Sequence, residues 1–106
     1  MRDERAVMRV ERADKLKNAF PNVTFLYSVK CNHNKDITDS IFSRGLGADA
    51  ASLREVMLAS EAGLSKEMIY YSAPGKAASD IREAWDKACI IADSLGEIEL
   101  IEEMAA

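Results

Sequence analysis

Phe25-Leu26-Tyr27-Ser28-Val29-Lys30-Cys31-Asn32 decides how this chain reads: a run of β character that ends on a lysine, a cysteine and an asparagine. The aromatic and β-branched residues from Val23 to Val29 predict a strand, with Pro21-Asn22 as the turn before it. Apolar side chains on both alternating faces predict a strand covered on both sides, as in a parallel sheet. Lys30 then stands at the carboxyl end of that strand, where open α/β sheets and β/α barrels bind their ligands. By itself, a lysine in such a place commonly carries its ammonium out to water. A chemical role needs an amine desolvated enough to lose its proton and attack a carbonyl.

Before the strand, Arg2 to Ala19 is predicted to be a helix whose stripe is Val10, Ala13, Leu16 and Phe20. After it, a helix opens near Asn34 with Ile37 and Ile41 one turn apart, and Gly45 is its natural terminator. Gly47-Ala48-Asp49-Ala50-Ala51 is read as a second strand from what flanks it. Ser52-Leu53-Arg54-Glu55 is a capping box, opening a helix that runs to Gly63 and buries Leu53, Val56 and Met57. Met68 to Ser72 is the third strand, and Pro74-Gly75-Lys76 the loop after it. A helix with Ile81, Ala84, Trp85 and Ala88 follows, and then Cys89 to Ala92 as a fourth, fully apolar strand. Ser94-Leu95-Gly96-Glu97 is a second capping box, starting a last helix with Leu95, Ile98 and Ile101 inside.

The order is one helix and then strand–helix four times over, which predicts a parallel sheet with right-handed crossovers. Two architectures carry that order. One is a small open doubly wound sheet; the other is the first half of an eight-stranded β/α barrel, whose full form takes about 250 residues.

With 106 residues the chain is one domain or part of one, and 48% hydrophobic with 30% charged residues is an ordinary composition that can form a core. A formal net charge of −4 argues against nucleic acid as a partner. No apolar run is long enough to span a bilayer, so no membrane partner is expected either. Cys31 and Cys89 stand far apart and outside any CxxC pattern, which predicts reduced thiols and a cytoplasmic protein. His33 is the sole histidine, so no metal site is expected.

From Tyr27 to Asn32 the sequence resembles the fold-type III pyridoxal-phosphate decarboxylases, a family that includes ornithine, arginine and diaminopimelate decarboxylases, with alanine racemase a more distant relative. Three further stretches are similar to segments of that family. Gly45 to Glu55 resembles its second strand, Ser72 to Lys76 the loop after its third, and Ile91 to Glu99 its fourth strand with the helix that follows. The four motifs come in order across residues 23–103 and favour the barrel. The fold implied is α/β, parallel β/α units making the first half of a TIM-like (β/α)8 barrel, with four strands and about five helices. Residues 1–106 would then be a single partial domain, the N-terminal half of a pyridoxal-phosphate-binding barrel.

By resemblance, Lys30 holds pyridoxal 5'-phosphate as a Schiff base, and the substrate is a basic or diamino acid such as ornithine, lysine, arginine or diaminopimelate. Asp49 and Glu55 match acidic positions close to that lysine and would tune its protonation, although a capping box accounts for Glu55 without chemistry. Asn32 and His33 could line the pocket, or serve as a turn asparagine and an exposed histidine. Lys76 is expected to extend into solvent, with approach to an anionic group the alternative, and Trp85 to pack in the core. In the family, the segments that cradle the cofactor phosphate, the acid at the pyridine nitrogen, the aromatic stacking partner and a C-terminal β-domain all come later in the chain. The isolated residues are therefore expected to turn over little or no substrate. A half barrel would leave two strand edges unpaired, so a homo-oligomer, or association with the missing half, is expected. The alternative function is a non-catalytic binding or assembly module derived from such an enzyme.

Overall fold

The computed structural model describes residues 4–29 and 35–106, with side chains described for 11–29 and 38–106. Lys30, Cys31, Asn32 and His33 lie outside the described residues, as does the side chain of Ile37.

The elements run α1 (Glu4–Ala19), β1 (Leu26–Ser28), α2 (Lys35–Ser43), β2 (Gly47–Ala50), α3 (Leu53–Glu61), a 3-10 turn at Lys66–Met68, β3 (Ile69–Tyr71), α4 (Ala78–Ala84), β4 (Cys89–Ile90) and α5 (Leu95–Ala105). The four strands form one sheet in the order β1-β2-β3-β4, and every neighbouring pair is parallel. Alternating β and α elements make that the expected outcome, because a parallel neighbour needs a crossover and each helix supplies one. No helix among the described residues is long and apolar enough to cross a membrane.

The two inner strands carry the core. Ala48 and Ala50 of β2 and Ile69 and Tyr71 of β3 are buried in one cluster with Val56 and Ala59 of α3 and with Ala84. Gly47 is needed where these strands meet. A Cβ there would lie 2.7 Å from the Met68 carbonyl oxygen and 2.8 Å from Leu26 Cδ2. Gly45 ends α2 at φ 87°, a backbone conformation that side chains disfavour.

The outer elements depart from the sequence reading. β1 covers only Leu26 to Ser28, and Val23 is exposed rather than part of a strand covered on both faces. On α1 Ala13 is buried, but Leu16 and Phe20 of the expected stripe are exposed. β4 stops at Ile90, so Ile91 is exposed beyond it. On α5, Leu95 is 79% exposed and Ile98 43%, and the buried position is Glu97 instead. These side chains belong to β1, β4 or the segments next to them in the chain, and among the described residues β1 and β4 each pair with a strand on one side only. Apolar periodicity records which face a helix would bury, not whether a neighbour is present to bury it.

Candidate active site

Ser28, Asp49, Tyr70 and Cys89 are successive register partners across the four strands. Their chain neighbours Ala48, Ala50, Ile69 and Tyr71 go into the core with α3. Side chains alternate along a strand, so this row lies on the face turned away from α3. Asp49 places a carboxylate in the middle of it, half-buried. Among the described residues no hydrogen-bond partner or ion pair closes on that carboxylate. Ser28 stands two residues before Lys30 in the chain.

Glu55 sits one turn into α3, and its carboxylate is buried. Ser52 Oγ accepts from the Glu55 N–H at 3.2 Å, as a capping box requires. The Ser52 hydroxyl donates to Glu55 Oε2 at 3.1 Å, and the Ala51 N–H donates to Oε1 at 3.3 Å. The glutamate thus ties the β2–α3 loop to the helix. Asp49 and Glu55 belong to one β/α unit, Asp49 inside the strand and Glu55 beyond its carboxyl end.

The second capping box is built alike. Ser94 at φ −153°, ψ 164° repeats the backbone of Ser52 at φ −153°, ψ 162°. Ser94 Oγ accepts from the Glu97 N–H, and the Asp93 N–H donates to Glu97 Oε1 at 3.3 Å. Here a cation joins. Lys76, expected in solvent, has its side chain fully buried, with Nζ 2.7 Å from Glu97 Oε1. The same ammonium donates to the carbonyl oxygens of Ala73 at 2.9 Å and Ile91 at 2.6 Å. Its three protons are all engaged, and that is how the charge tolerates burial. The hydrogen bond from Lys76 is the main cause holding the Glu97 carboxyl below its ordinary pKa. Burial, with Asp80 and Glu97 nearby, raises the Tyr71 phenol. A cleft of about 370 Å³ beside the pair is lined by Gly75, Lys76, Ser94, Gly96, Glu97 and Leu100, and it offers no unengaged lysine proton to an anion.

Sequence reasoning recognised both capping boxes but missed that Lys76 pairs with the second. The available signal was the repeated Ser-x-x-Glu after β2 and after β4, each with a lysine upstream. Trp85 is half-buried and stacks under Lys66, whose Nζ lies 5.7 Å from the ring centre.

The family described as pyridoxal-dependent decarboxylase, pyridoxal binding domain, matches residues 7–106. The chain belongs to that family. Among curated proteins it is 40% identical over 87 residues to the L-glutamyl-[BtrI acyl-carrier protein] decarboxylase of Niallia circulans, covering 80% of this chain and 20% of that one. It is 32% identical over 97 residues to the diaminopimelate decarboxylase of Aquifex aeolicus, covering 90% and 23%. Among solved structures, ornithine decarboxylase from Entamoeba histolytica superposes with a TM-score of 0.80 at 31% identity over 91% of this chain and 31% of that one. The chain thus spans about a fifth to a third of the relatives it matches. With solved decarboxylases built on TIM barrels, the four-stranded sheet corresponds to the barrel portion, and the open doubly wound alternative is set aside.

A pyridoxal group held on an amine calls for an acid near that amine, and the described residues offer two carboxylates in the β/α unit next to β1, Asp49 and Glu55. Asp49, a carboxylate without a partner among the described residues, lies on the face turned away from α3, and Glu55 anchors the adjoining loop. At the N-termini of α3 and α5 each cap serine takes one helix N–H, that of Glu55 or Glu97, and each glutamate takes the N–H of the residue before that serine.

Proposed function

We propose that these residues are the N-terminal barrel portion of a pyridoxal-phosphate-dependent decarboxylase acting on a basic or diamino acid, with Lys30 the amine that holds the cofactor. The cofactor, when bound, supplies the electron sink for loss of carbon dioxide. The observation that supports this reading is the row through Ser28 and Asp49. It puts an acidic group on the strand beside the one that leads to Lys30. An acid near an amine favours the ammonium form and orients it. Asp49 is assigned that positioning role, and Glu55 the role of holding the β2–α3 loop beside it.

The test is capture of the cofactor itself. The chain is incubated with pyridoxal phosphate, reduced with borohydride and digested, and the modified lysine is located by mass spectrometry. Lys30 is expected to be modified ahead of every other lysine, with the absorbance band of the adduct lost in Lys30→Ala. Uniform labelling of surface lysines, or a band that persists in Lys30→Ala, overturns the assignment. The isolated 106-residue chain is expected to release no carbon dioxide from ornithine, lysine, arginine or diaminopimelate above a cofactor-only control. A lysine without phosphate contacts positions the cofactor poorly.

A further inference from the structure

Serines stand just past the carboxyl ends of β2, β3 and β4, at Ser52, Ser72 and Ser94. Ser52 and Ser94 cap α3 and α5, accepting from the N–H groups of Glu55 and Glu97. Ser72 caps nothing. The N-cap of α4 is Ala77, and among the described residues no hydrogen bond engages the Ser72 hydroxyl.

Its backbone is nonetheless fixed. The Ser72 N–H donates to the Ala50 carbonyl at 2.9 Å and the Ile91 N–H to that of Tyr71 at 3.0 Å, the last rungs of the ladder. Lys76 then holds the carbonyls of Ala73, next after Ser72, and of Ile91. Tyr71 goes into the core with α3, so alternation turns Ser72 to the face that carries Asp49 and Tyr70. β2 and β3 are inner strands with a partner on each side, so this placement does not depend on what lies beyond β1 or β4.

Two residues past Asp49, Tyr70 and Cys89 come Ala51, Ser72 and Ile91, which offer a methyl, a hydroxyl and a branched alkyl group. Lys30 is likewise two residues past Ser28 in the chain. β3 lies two strand spacings from β1, about 10 Å, the span of a lysine side chain with an aromatic ring at its end. A single neutral hydroxyl between apolar groups suits the edge of such a ring. It does not suit a phosphate, whose charge calls for several donors or a cation, and the Lys76 ammonium is already fully engaged. On a pyridoxal ring the polar atom bonded directly beside the aldehyde-bearing carbon is the phenolic oxygen.

We infer that Ser72 is a cofactor-binding residue, its hydroxyl donating to the phenolic oxygen of the pyridoxal ring held on Lys30. A hydrogen bond to the ionised form of that oxygen favours it over the neutral form. This inference rests on the assignment of Lys30 made above.

Absorbance of the whole chain with pyridoxal phosphate at a fixed neutral pH tests it, since the ionised form of the ring oxygen absorbs at longer wavelength than the neutral one. Ser72→Ala is expected to lower the ratio of the long- to the short-wavelength band several-fold. Cofactor binding is expected to weaken roughly 2- to 10-fold, the worth of one hydrogen bond, with the melting temperature unchanged. Ser72→Thr keeps a hydroxyl and is expected to retain both. Plain pyridoxal is expected to show the same change in ratio, and a change confined to the phosphorylated probe overturns the assignment to the ring oxygen. Bands and affinity indifferent to Ser72→Ala, yet lost in Lys30→Ala, overturn this inference alone. A loss that comes with a lowered melting temperature and that Ser72→Thr does not restore is a folding effect, and overturns it too. A band that persists in Lys30→Ala, or no band in the unaltered chain, overturns the reading of Lys30 and this inference with it.

Discussion

Lys76 Nζ lies 2.7 Å from Glu97 Oε1, and through this pair the loop after β3 is fastened to the first turn of α5. Both side chains are buried, and the ammonium also collects the carbonyls of Ala73 and Ile91, beyond the ends of β3 and β4. One lysine therefore joins two neighbouring β/α units at the carboxyl ends of their strands.

Replacing Lys76 by methionine leaves the Glu97 carboxylate buried without its counter-ion and two carbonyls without a donor. Removing one partner of a buried pair is strongly destabilising, whereas replacing both by apolar groups is much less so. Lys76→Met is expected to lower the melting temperature by roughly 10 °C or more, and Lys76→Met with Glu97→Met by less than that single change. Differential scanning calorimetry on the two variants decides it.

The same pair sets an acid limit. Glu97 has its folded-state pKa lowered from 4.5, so the unfolded chain takes up the proton first as pH falls. The stabilisation is complete above the unfolded value and disappears as pH drops through the lower folded one. Melting temperature is expected to fall from just above pH 5 downward, and Glu97→Gln to flatten that part of the curve. An identical acid slope in the variant would show that another carboxylate governs it.

Glu55 can be separated from its cap. Glu55→Gln keeps a side-chain acceptor for the Ala51 N–H and is expected to lower the melting temperature by only a few degrees, roughly what a weakened cap produces. If the carboxylate helps to position Lys30, borohydride-trapped cofactor on that lysine falls several-fold in the same variant. Unchanged trapping would leave Glu55 with its capping role alone.

Gly47 tests the close approach of the inner strands. An alanine there drives its Cβ against the Met68 carbonyl at 2.7 Å, and backbone cannot swing aside as a side-chain tip can. Gly47→Ala is expected to cost about 1–3 kcal/mol, the usual range for overpacking, read from the midpoint of urea unfolding.

The helices, the strand–helix alternation and both caps were legible because each depends on residues a few positions apart. Asp49 and Glu55 were singled out by the resemblance of their segment to the decarboxylase family, and a capping box alone accounts for Glu55. Leu95 and Ile98 show where such reading ends. Their spacing is that of an inward face, yet both are exposed, and among the described residues β4, the strand before them, has no outer neighbour. The number of neighbours a strand has is not encoded near that strand.

The amino-acid sequence by itself determined the parallel β/α order, the serine caps of α3 and α5 and the position of Lys30 after β1, because turn chemistry, capping and periodicity are local. Only the tertiary structure decided that Lys76 is buried against Glu97, twenty-one residues away, and that Asp49 shares a row with Ser28, Tyr70 and Cys89. Both depend on strand register and on which loops come to lie together. Those follow from packing the whole sheet, and no single segment specifies them.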